Sequence, residues 1–283
     1  MNILADRVLG GKEALELWNF QPVYQEPTIT TRETGSITIS DRATGNVMAY
    51  VSKLPDDLRA NVRKALTRIP RGKVVRSRGG ESSSTVIGFL APNAMLSRRS
   101  RGIAAAAVTF PNEHKVLMGL SQWCADEMAK VLPTETQAHQ NVISNIQPGW
   151  RIPGGLWTSG IINFTSPYVY HRDRNNIPGS WSAMPIIRRN ATGGYLHLPE
   201  FEIDGKPAVF ACDDGDAIFF DGQEVMHGVT PIEVTGDGYR ISTVFYAVKK
   251  MQGGNAPEQE LHDVRKRRTL LDEQSGKPTN GEA

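Results

Sequence analysis

The sequence predicts a mainly β (α+β) fold, a jelly-roll of two packed antiparallel sheets with helices on one side. Between Trp150 and Val248, short apolar, β-branched and aromatic runs follow one another closely and are separated by Gly and Asp turn signals. Two segments before this region repeat apolar residues at helical spacing. A chain of 283 residues is long enough for one such core with helical decoration.

The N-terminal part, residues 1–110, is expected to pack on the core. Residues 1 to about 35 carry little pattern, although Leu15, Leu17 and Trp18 indicate a short ordered element. Residues 36–52 are predicted to form a hairpin around the turn that ends at Gly45. An amphipathic helix is predicted after Pro55-Asp56, because apolar residues recur at helical spacing from Leu58 to Ile69.

A flexible basic loop is predicted over residues 71–85, which include Arg76 and Arg78. A solvated connection and a DNA contact carry equal weight for this loop. From Arg63 to Arg101 the only acidic residue is Glu81, against ten Lys or Arg residues. The whole chain has a formal net charge of only +2, so a polyanionic partner is indicated by this clustering and not by the total.

The core is predicted to span residues 111–250 and to begin with a second helix, from Asn112 to about Leu132. Both helices are expected to brace the outside of the barrel. Gly193-Gly194 and Gly222 indicate turns or bulges where the backbone passes close to other groups. Residues 251–283 change to a polar composition and are predicted to be a tail, with a helical part over residues 259–271.

A cytoplasmic enzyme is expected, in a bacterium or a phage-infected host cell. The sequence contains no apolar run long enough to cross a bilayer and no secretory signal pattern at its start. The two cysteines, Cys124 and Cys212, do not suggest a disulfide framework, which fits a reducing compartment. A monomer is expected.

The most informative pattern is His171-x-Asp173 followed by the downstream His227. Two imidazoles and one carboxylate form the facial triad that holds Fe(II) and leaves positions open for a co-substrate and O2. Arg240 and Ser242 come next and would share one face of a strand. A planar guanidinium with a neighbouring hydroxyl suits the distal carboxylate of 2-oxoglutarate.

Each fragment alone is weak evidence, because His-x-Asp occurs by chance and an arbitrary histidine is more often a surface or core residue. The order and context of the fragments strengthen the interpretation. His171 ends a β-type run, and His227 follows a turn and a strand signal that ends at Phe220. In the strand from Arg240 to Tyr246, alternate residues face the barrel interior, where an unpaired guanidinium would need an anion.

The chain resembles the TET/JBP family of iron- and 2-oxoglutarate-dependent dioxygenases, which oxidise the 5-methyl group of pyrimidines in DNA. The resemblance covers about residues 150–250 and implies a double-stranded β-helix core. The segments that carry it are His171-Arg172-Asp173-Arg174-Asn175-Asn176, Gly193-Gly194-Tyr195-Leu196-His197-Leu198-Pro199-Glu200, His227-Gly228-Val229-Thr230-Pro231-Ile232 and Arg240-Ile241-Ser242-Thr243-Val244-Phe245-Tyr246.

The resemblance also implies residue roles. Asn176 matches a family asparagine that contacts the flipped base, and Tyr246 matches a tyrosine that stacks on it. Val248 stands where TET enzymes have a histidine, which puts base contacts and the depth of oxidation in question. Double-stranded DNA with the target base flipped out is the implied partner. The candidate DNA contacts, which are indicated by the distribution of charge, are Arg76, Arg78, Arg98, Arg99, Arg172 and Arg174.

Three functions remain open from the sequence. A hydroxylase of 5-methylpyrimidine in DNA, with 5-methylcytosine favoured and thymine as the alternative, accounts for Asn176, Tyr246 and the basic stretch. A dioxygenase of a free amino acid, nucleoside or other metabolite would use the same iron and 2-oxoglutarate residues. A metal-free binding module on the same fold is disfavoured, because every ligand and clamp position keeps suitable chemistry.

Overall fold

The computed structural model describes residues 1–32, 35–75, 81–96 and 98–274 and shows two packed sheets with helices on the outer face of one of them. The strands are β1 (Asn2–Arg7), β2 (Ile37–Asp41), β3 (Val47–Lys53), β4 (Lys73–Val75), β5 (Glu81–Leu90), β6 (Gly102–Ile103), β7 (Ser159–Phe164), β8 (Tyr168–His171), β9 (Ser182–Gly193), β10 (Leu196–Ile203), β11 (Lys206–Phe210), β12 (Asp216–Phe220), β13 (His227–Val229) and β14 (Ile232–Tyr246). The helices are α1 (Gly11–Glu16), α2 (Asp56–Arg68), α3 (Ala105–Thr109), α4 (Pro111–Val131), α5 (Pro133–Val142) and α6 (Pro257–Gln274), and short 3-10 turns span Ala94–Leu96, Pro148–Trp150 and Lys249–Met251.

The larger sheet has the strand order β4-β5-β7-β14-β9-β12-β3-β2. Its central strand for the site is β14, which pairs antiparallel with β7 on one side and β9 on the other. Ser242 of β14 lies opposite Asn163 of β7 and Ile186 of β9. Pairing on both sides fixes the orientation of β14, so that the face predicted from the sequence to point inward does so.

The smaller sheet contains β8, β13, β10 and β11, and β13 pairs antiparallel with both β8 and β10. Strand β1 joins the two sheets, because it runs parallel to β2 and antiparallel to β10. Two facing sheets of this kind form the double-stranded β-helix. The predicted mainly β jelly-roll with bracing helices is therefore confirmed.

Apolar side chains fill two layers. One layer lies between the sheets and includes Ile39, Leu198 and Phe220, all at most 2 % exposed. The other lies between the larger sheet and helices α2 and α4, where Leu66 and Leu120 pack with strand residues. The helices thus brace the outer face of the larger sheet and leave the space between the sheets for the site.

Most local predictions are confirmed. Strands β2 and β3 form the predicted hairpin, and α2 and α4 fall where helical spacing predicted them. The helix predicted in the C-terminal region is present as α6, and an ion pair between Arg101 and Glu260 connects it to the segment before α3.

Among the described residues, no helix combines the length and the apolar character that a membrane crossing requires.

The flexible loop predicted over residues 71–85 is wrong for the residues that the structure describes. Residues 73–75 form β4, and residues 81–90 form β5, which pairs with β7 from Ser84 to Gly88. The serine-rich start of β5 hid the strand, since the β-branched residues Thr85, Val86 and Ile87 follow it. Residues 1 to about 35 showed little pattern in the sequence, but residues 2–7 form β1, which pairs with β2 and β10.

Candidate metal centre and anion pocket

The structure brings His171, Asp173 and His227 together. His171 ends β8, and His227 begins β13 directly opposite it in the antiparallel register. Their ring centroids lie 4.2 Å apart. Asp173 follows β8 by two residues and turns back, so that its Oδ1 lies 3.5 Å from His171 Nε2. One ligand atom from each of the three residues lies within 4.8 Å of the others.

Both histidines are oriented in the same way. His171 Nδ1 donates to the carbonyl of Val169 at 2.9 Å, and His227 Nδ1 donates to the carbonyl of Val225 at 2.9 Å. A carbonyl oxygen only accepts, so Nδ1 carries the proton and Nε2 keeps its lone pair. Burial lowers the pKa of His227 to about 4, which keeps the imidazole neutral at neutral pH. Neutral imidazoles with a defined tautomer are the form that binds a metal.

Asp173 is held from three sides. Its backbone N–H donates to the carbonyl of Gly222 at 2.7 Å. The amide Nδ2 of Asn176 donates to Asp173 Oδ2 at 3.2 Å. A Cβ atom at Gly222 would lie 2.6 Å from the same Oδ2, so only glycine leaves room for the carboxylate. Two neutral imidazoles and one oriented carboxylate are the donor set that suits Fe(II).

Arg240 supplies a buried cation in the same space. Its side chain extends from β14 and the residue is 1 % exposed. Nη1 donates to Ser242 Oγ at 3.0 Å, but Nε and Nη2 have no oxygen acceptor among the described residues. Burial lowers the pKa of this guanidinium, and the neighbouring Cys212 thiol is a weak acceptor. Donors left in this way fit an anion with two oxygens, such as a carboxylate.

A glycine also makes room for this guanidinium. Gly194 has a φ of +66°, and a Cβ there would lie 3.0 Å from Arg240 Cδ and 3.1 Å from its Nε. The Gly193-Gly194 pair thus provides both a left-handed turn and a close approach. The sequence indicated a turn or bulge at this pair, and the structure shows that Gly194 also leaves space for the Arg240 side chain.

The metal ligands and Arg240 line one cavity of about 560 Å³ between the two sheets. Ser242, Val244 and Tyr246 also face it, as the alternation along β14 predicted. Asn176 lines it too, is 4 % exposed, and donates to Ser182 Oγ at 3.2 Å as well as to Asp173. The cavity is therefore polar at the metal ligands and at Arg240, with apolar walls from Met184, Leu196, Phe220 and Val229.

The predicted DNA-contacting arginines have different environments. Arg174 is exposed, lines the cavity and stacks over the Trp18 ring, with Cζ 4.1 Å from the centroid. Arg172 is ion-paired with Glu200 at 2.7 Å. Arg98 donates to the carbonyl of Ala91 at 2.7 Å, and Arg99 is exposed. Arg76 and Arg78 lie outside the described residues.

Two residues of the site region were missed by sequence reasoning. Trp18 lines the cavity, and its Nε1 is buried with no hydrogen-bond partner among the described residues. Glu200 is fully buried beside the metal-ligand segments. A carboxylate between apolar neighbours, as in Leu198-Pro199-Glu200-Phe201, is a signal that could have identified it.

The chain is similar in structure to known proteins. It matches the structure described as NgTET1 in complex with 5mC DNA, with a TM-score of 0.56, 16% sequence identity, and coverage of 91% of this chain and 100% of that chain. It also matches an oxidoreductase of the 2OG-Fe(II) oxygenase family from Burkholderia pseudomallei, with a TM-score of 0.42, 13% identity and coverage of 80% and 90%. No protein-family model and no curated protein matches the chain. At this identity the first match supports the fold.

Proposed function

We propose that this protein is an Fe(II)- and 2-oxoglutarate-dependent dioxygenase that hydroxylates the 5-methyl group of a pyrimidine in DNA, with 5-methylcytosine favoured over thymine. The observation that carries the proposal is a single cavity lined both by the triad His171, Asp173 and His227 and by the buried guanidinium of Arg240. The fold shared with NgTET1 and the TET/JBP sequence segments support the choice of substrate.

The residues divide the work. His171, Asp173 and His227 would hold Fe(II), and Arg240 with Ser242 would hold the distal carboxylate of 2-oxoglutarate. Bound Fe(II) with 2-oxoglutarate and O2 supplies the oxidation, in which one oxygen atom enters the substrate as hydroxyl and the other enters succinate, with release of CO2. The protein orients these groups and excludes water with the apolar walls of the cavity.

A base inside a duplex is out of reach of this buried site, so the target base must be flipped into the cavity. Tyr246, half-buried on the cavity wall, is the proposed stacking partner. Asn176 uses Nδ2 on Asp173 and Ser182, which leaves Oδ1 to contact a base. An acceptor at this place suits the exocyclic amino group of cytosine, and this favours 5-methylcytosine over thymine.

A free small molecule is the second candidate substrate. A cavity of about 560 Å³ lies within the range typical of small-molecule sites. The ion pair of Arg172 with Glu200 also engages one of the arginines that DNA would otherwise meet. Under this alternative the iron and 2-oxoglutarate residues keep their roles and only the substrate changes.

Mass spectrometry of nucleosides tests the proposal. The iron-loaded protein is incubated with 2-oxoglutarate and either duplex DNA containing 5-methylcytosine, unmethylated duplex DNA, or the free nucleosides. We expect 5-hydroxymethylcytosine from the first sample, together with succinate, and no product with His171→Ala. Product from free nucleosides alone would favour the second candidate. Absence of 2-oxoglutarate turnover in every sample, from protein that contains iron, would refute the dioxygenase assignment.

A further inference from the structure

We propose that Glu200 is a positioning residue for the metal centre, which sets the two ligand-bearing segments relative to each other. The inference rests on the metal centre of the proposed function. Glu200 lies in β10, and its side chain is completely buried. It does not belong to the group of residues that could ligate the metal, and it acts through the segments that carry those ligands.

The two oxygens of Glu200 reach two different segments. Oε1 accepts from Arg172 Nη2 at 2.7 Å, and Arg172 stands between the ligands His171 and Asp173. Oε2 accepts from the backbone N–H of Met226 at 2.6 Å, and Met226 directly precedes the ligand His227. One carboxylate therefore connects the His171-x-Asp173 turn with the start of β13.

The backbone pairing between these two segments is irregular. Strands β8 and β13 pair at His171 with His227 and again at Tyr168 with Val229, with a register irregularity between the two pairs. A register shift of this kind interrupts the local ladder of backbone hydrogen bonds. The charge-assisted contacts of Glu200 hold both segments beside the irregularity.

The burial of Glu200 is compensated by its neighbours. Arg7 Nη1 at the end of β1 donates to Oε1 at 3.2 Å, so the carboxylate faces two guanidinium groups and one peptide N–H. The carbonyl of Glu200 also accepts from the N–H of Val8 at 2.9 Å. A buried carboxylate is tolerated only with such partners, and Arg7 and Met226 remain when Arg172 is replaced.

The test measures Fe(II) affinity of the folded protein by anaerobic titration. Glu200→Gln keeps the shape of the side chain but removes its charge, and Arg172→Gln removes the contact from the other partner. We expect each to bind Fe(II) about 10–100-fold more weakly, the range typical for groups that orient metal ligands. If Glu200 acts through Arg172, the double variant should bind Fe(II) no more weakly than the single variant of lower affinity.

Glu202→Gln is the matched control, because it makes the same chemical change in the same strand. Glu202 lies two residues further along β10, opposite Asp6, and is partly exposed. A merely structural role would lower the stability of metal-free and loaded protein alike and leave the metal affinity unchanged. The ligand-field spectrum of Co(II)-substituted protein gives a second measurement, because it reports the arrangement of the ligands. It should change in Glu200→Gln and remain unchanged in Glu202→Gln.

The outcomes separate the two proposals. Parent protein that binds no Fe(II) would overturn the proposed function and this inference with it. If the parent protein binds Fe(II) and both Glu200→Gln and Arg172→Gln bind it as tightly as the parent, the inference alone is overturned. If Glu200→Gln does not fold, Arg172→Gln decides, because it leaves Glu200 paired with Arg7 and Met226.

Discussion

Gly222→Ala should weaken the metal centre, although residue 222 is not itself a metal ligand. A Cβ at residue 222 would lie 2.6 Å from Asp173 Oδ2, whereas ordinary contact begins at 3.4 Å, so the carboxylate must move by about 0.8 Å. Metal–ligand distances tolerate only about 0.2 Å. The φ of Gly222 is not in the left-handed region, so the backbone itself accepts alanine. We expect Fe(II) to bind at least tenfold more weakly, about 1.4 kcal/mol.

Anaerobic titration measures the Fe(II) affinity, and urea denaturation of the metal-free protein measures the free energy of unfolding. The metal affinity should fall, while the free energy of unfolding changes little. Gly119→Ala is the control, because a Cβ there meets nothing within 4 Å and alanine is favoured in a helix. If Gly222→Ala binds Fe(II) as tightly as Gly119→Ala, Asp173 does not depend on this gap, and the geometry argued for the triad is refuted.

Three further predictions concern other parts of the molecule. Arg240→Lys loses the planar fork, so the 2-oxoglutarate requirement should rise with Fe(II) affinity retained, and an unchanged requirement in steady-state assays would place the carboxylate elsewhere. Tyr246→Ala should lose about 1–3 kcal/mol of DNA interaction while DNA-independent 2-oxoglutarate turnover persists, and a soluble, iron-loaded variant that hydroxylates DNA normally would exclude stacking. Burial lowers the pKa of His139 from 6.5 to about 4, so the unfolded state binds the extra proton between these values and the free energy of unfolding should fall by up to about 3 kcal/mol as pH decreases through that window. Urea denaturation of the metal-free protein should show this loss reduced in His139→Gln, and an identical pH slope in both proteins would contradict it.

The sequence predicted the parts of the site that depend on local order. His171 and Asp173 lie at the end of a strand, and alternation along β14 places Arg240 and Tyr246 on the cavity face. Both inferences need only the chain around each residue and a strand period of two. The pairing of His227 opposite His171 was not predictable in register, because no local signal specifies which residues of two distant strands meet.

The parts that could not be predicted depend on contacts between distant segments. Glu200 meets Arg7 and Arg172 across long separations in the chain, so the sequence around it gives no indication of its partners. The role predicted for Arg172 rested on charge alone, and only the fold shows the carboxylate beside it. Trp18 was noted as part of an ordered element, but its place on the cavity wall depends on how the N-terminal segment crosses β8.

The pairing of β1 with β10 has a consequence for how the protein folds. Arg7 lies opposite Phe201, so the first strand of the chain finds its antiparallel neighbour almost two hundred residues later. Contacts of such sequence separation raise the contact order, and loop closure must precede any stabilisation from them, so folding is slow. During synthesis the segment that contains β1 must wait for β10 to emerge, with an unpaired strand edge open to aggregation in the meantime. Slow refolding that accelerates when β1 and β10 are brought close by circular permutation would be the kinetic signature of this topology.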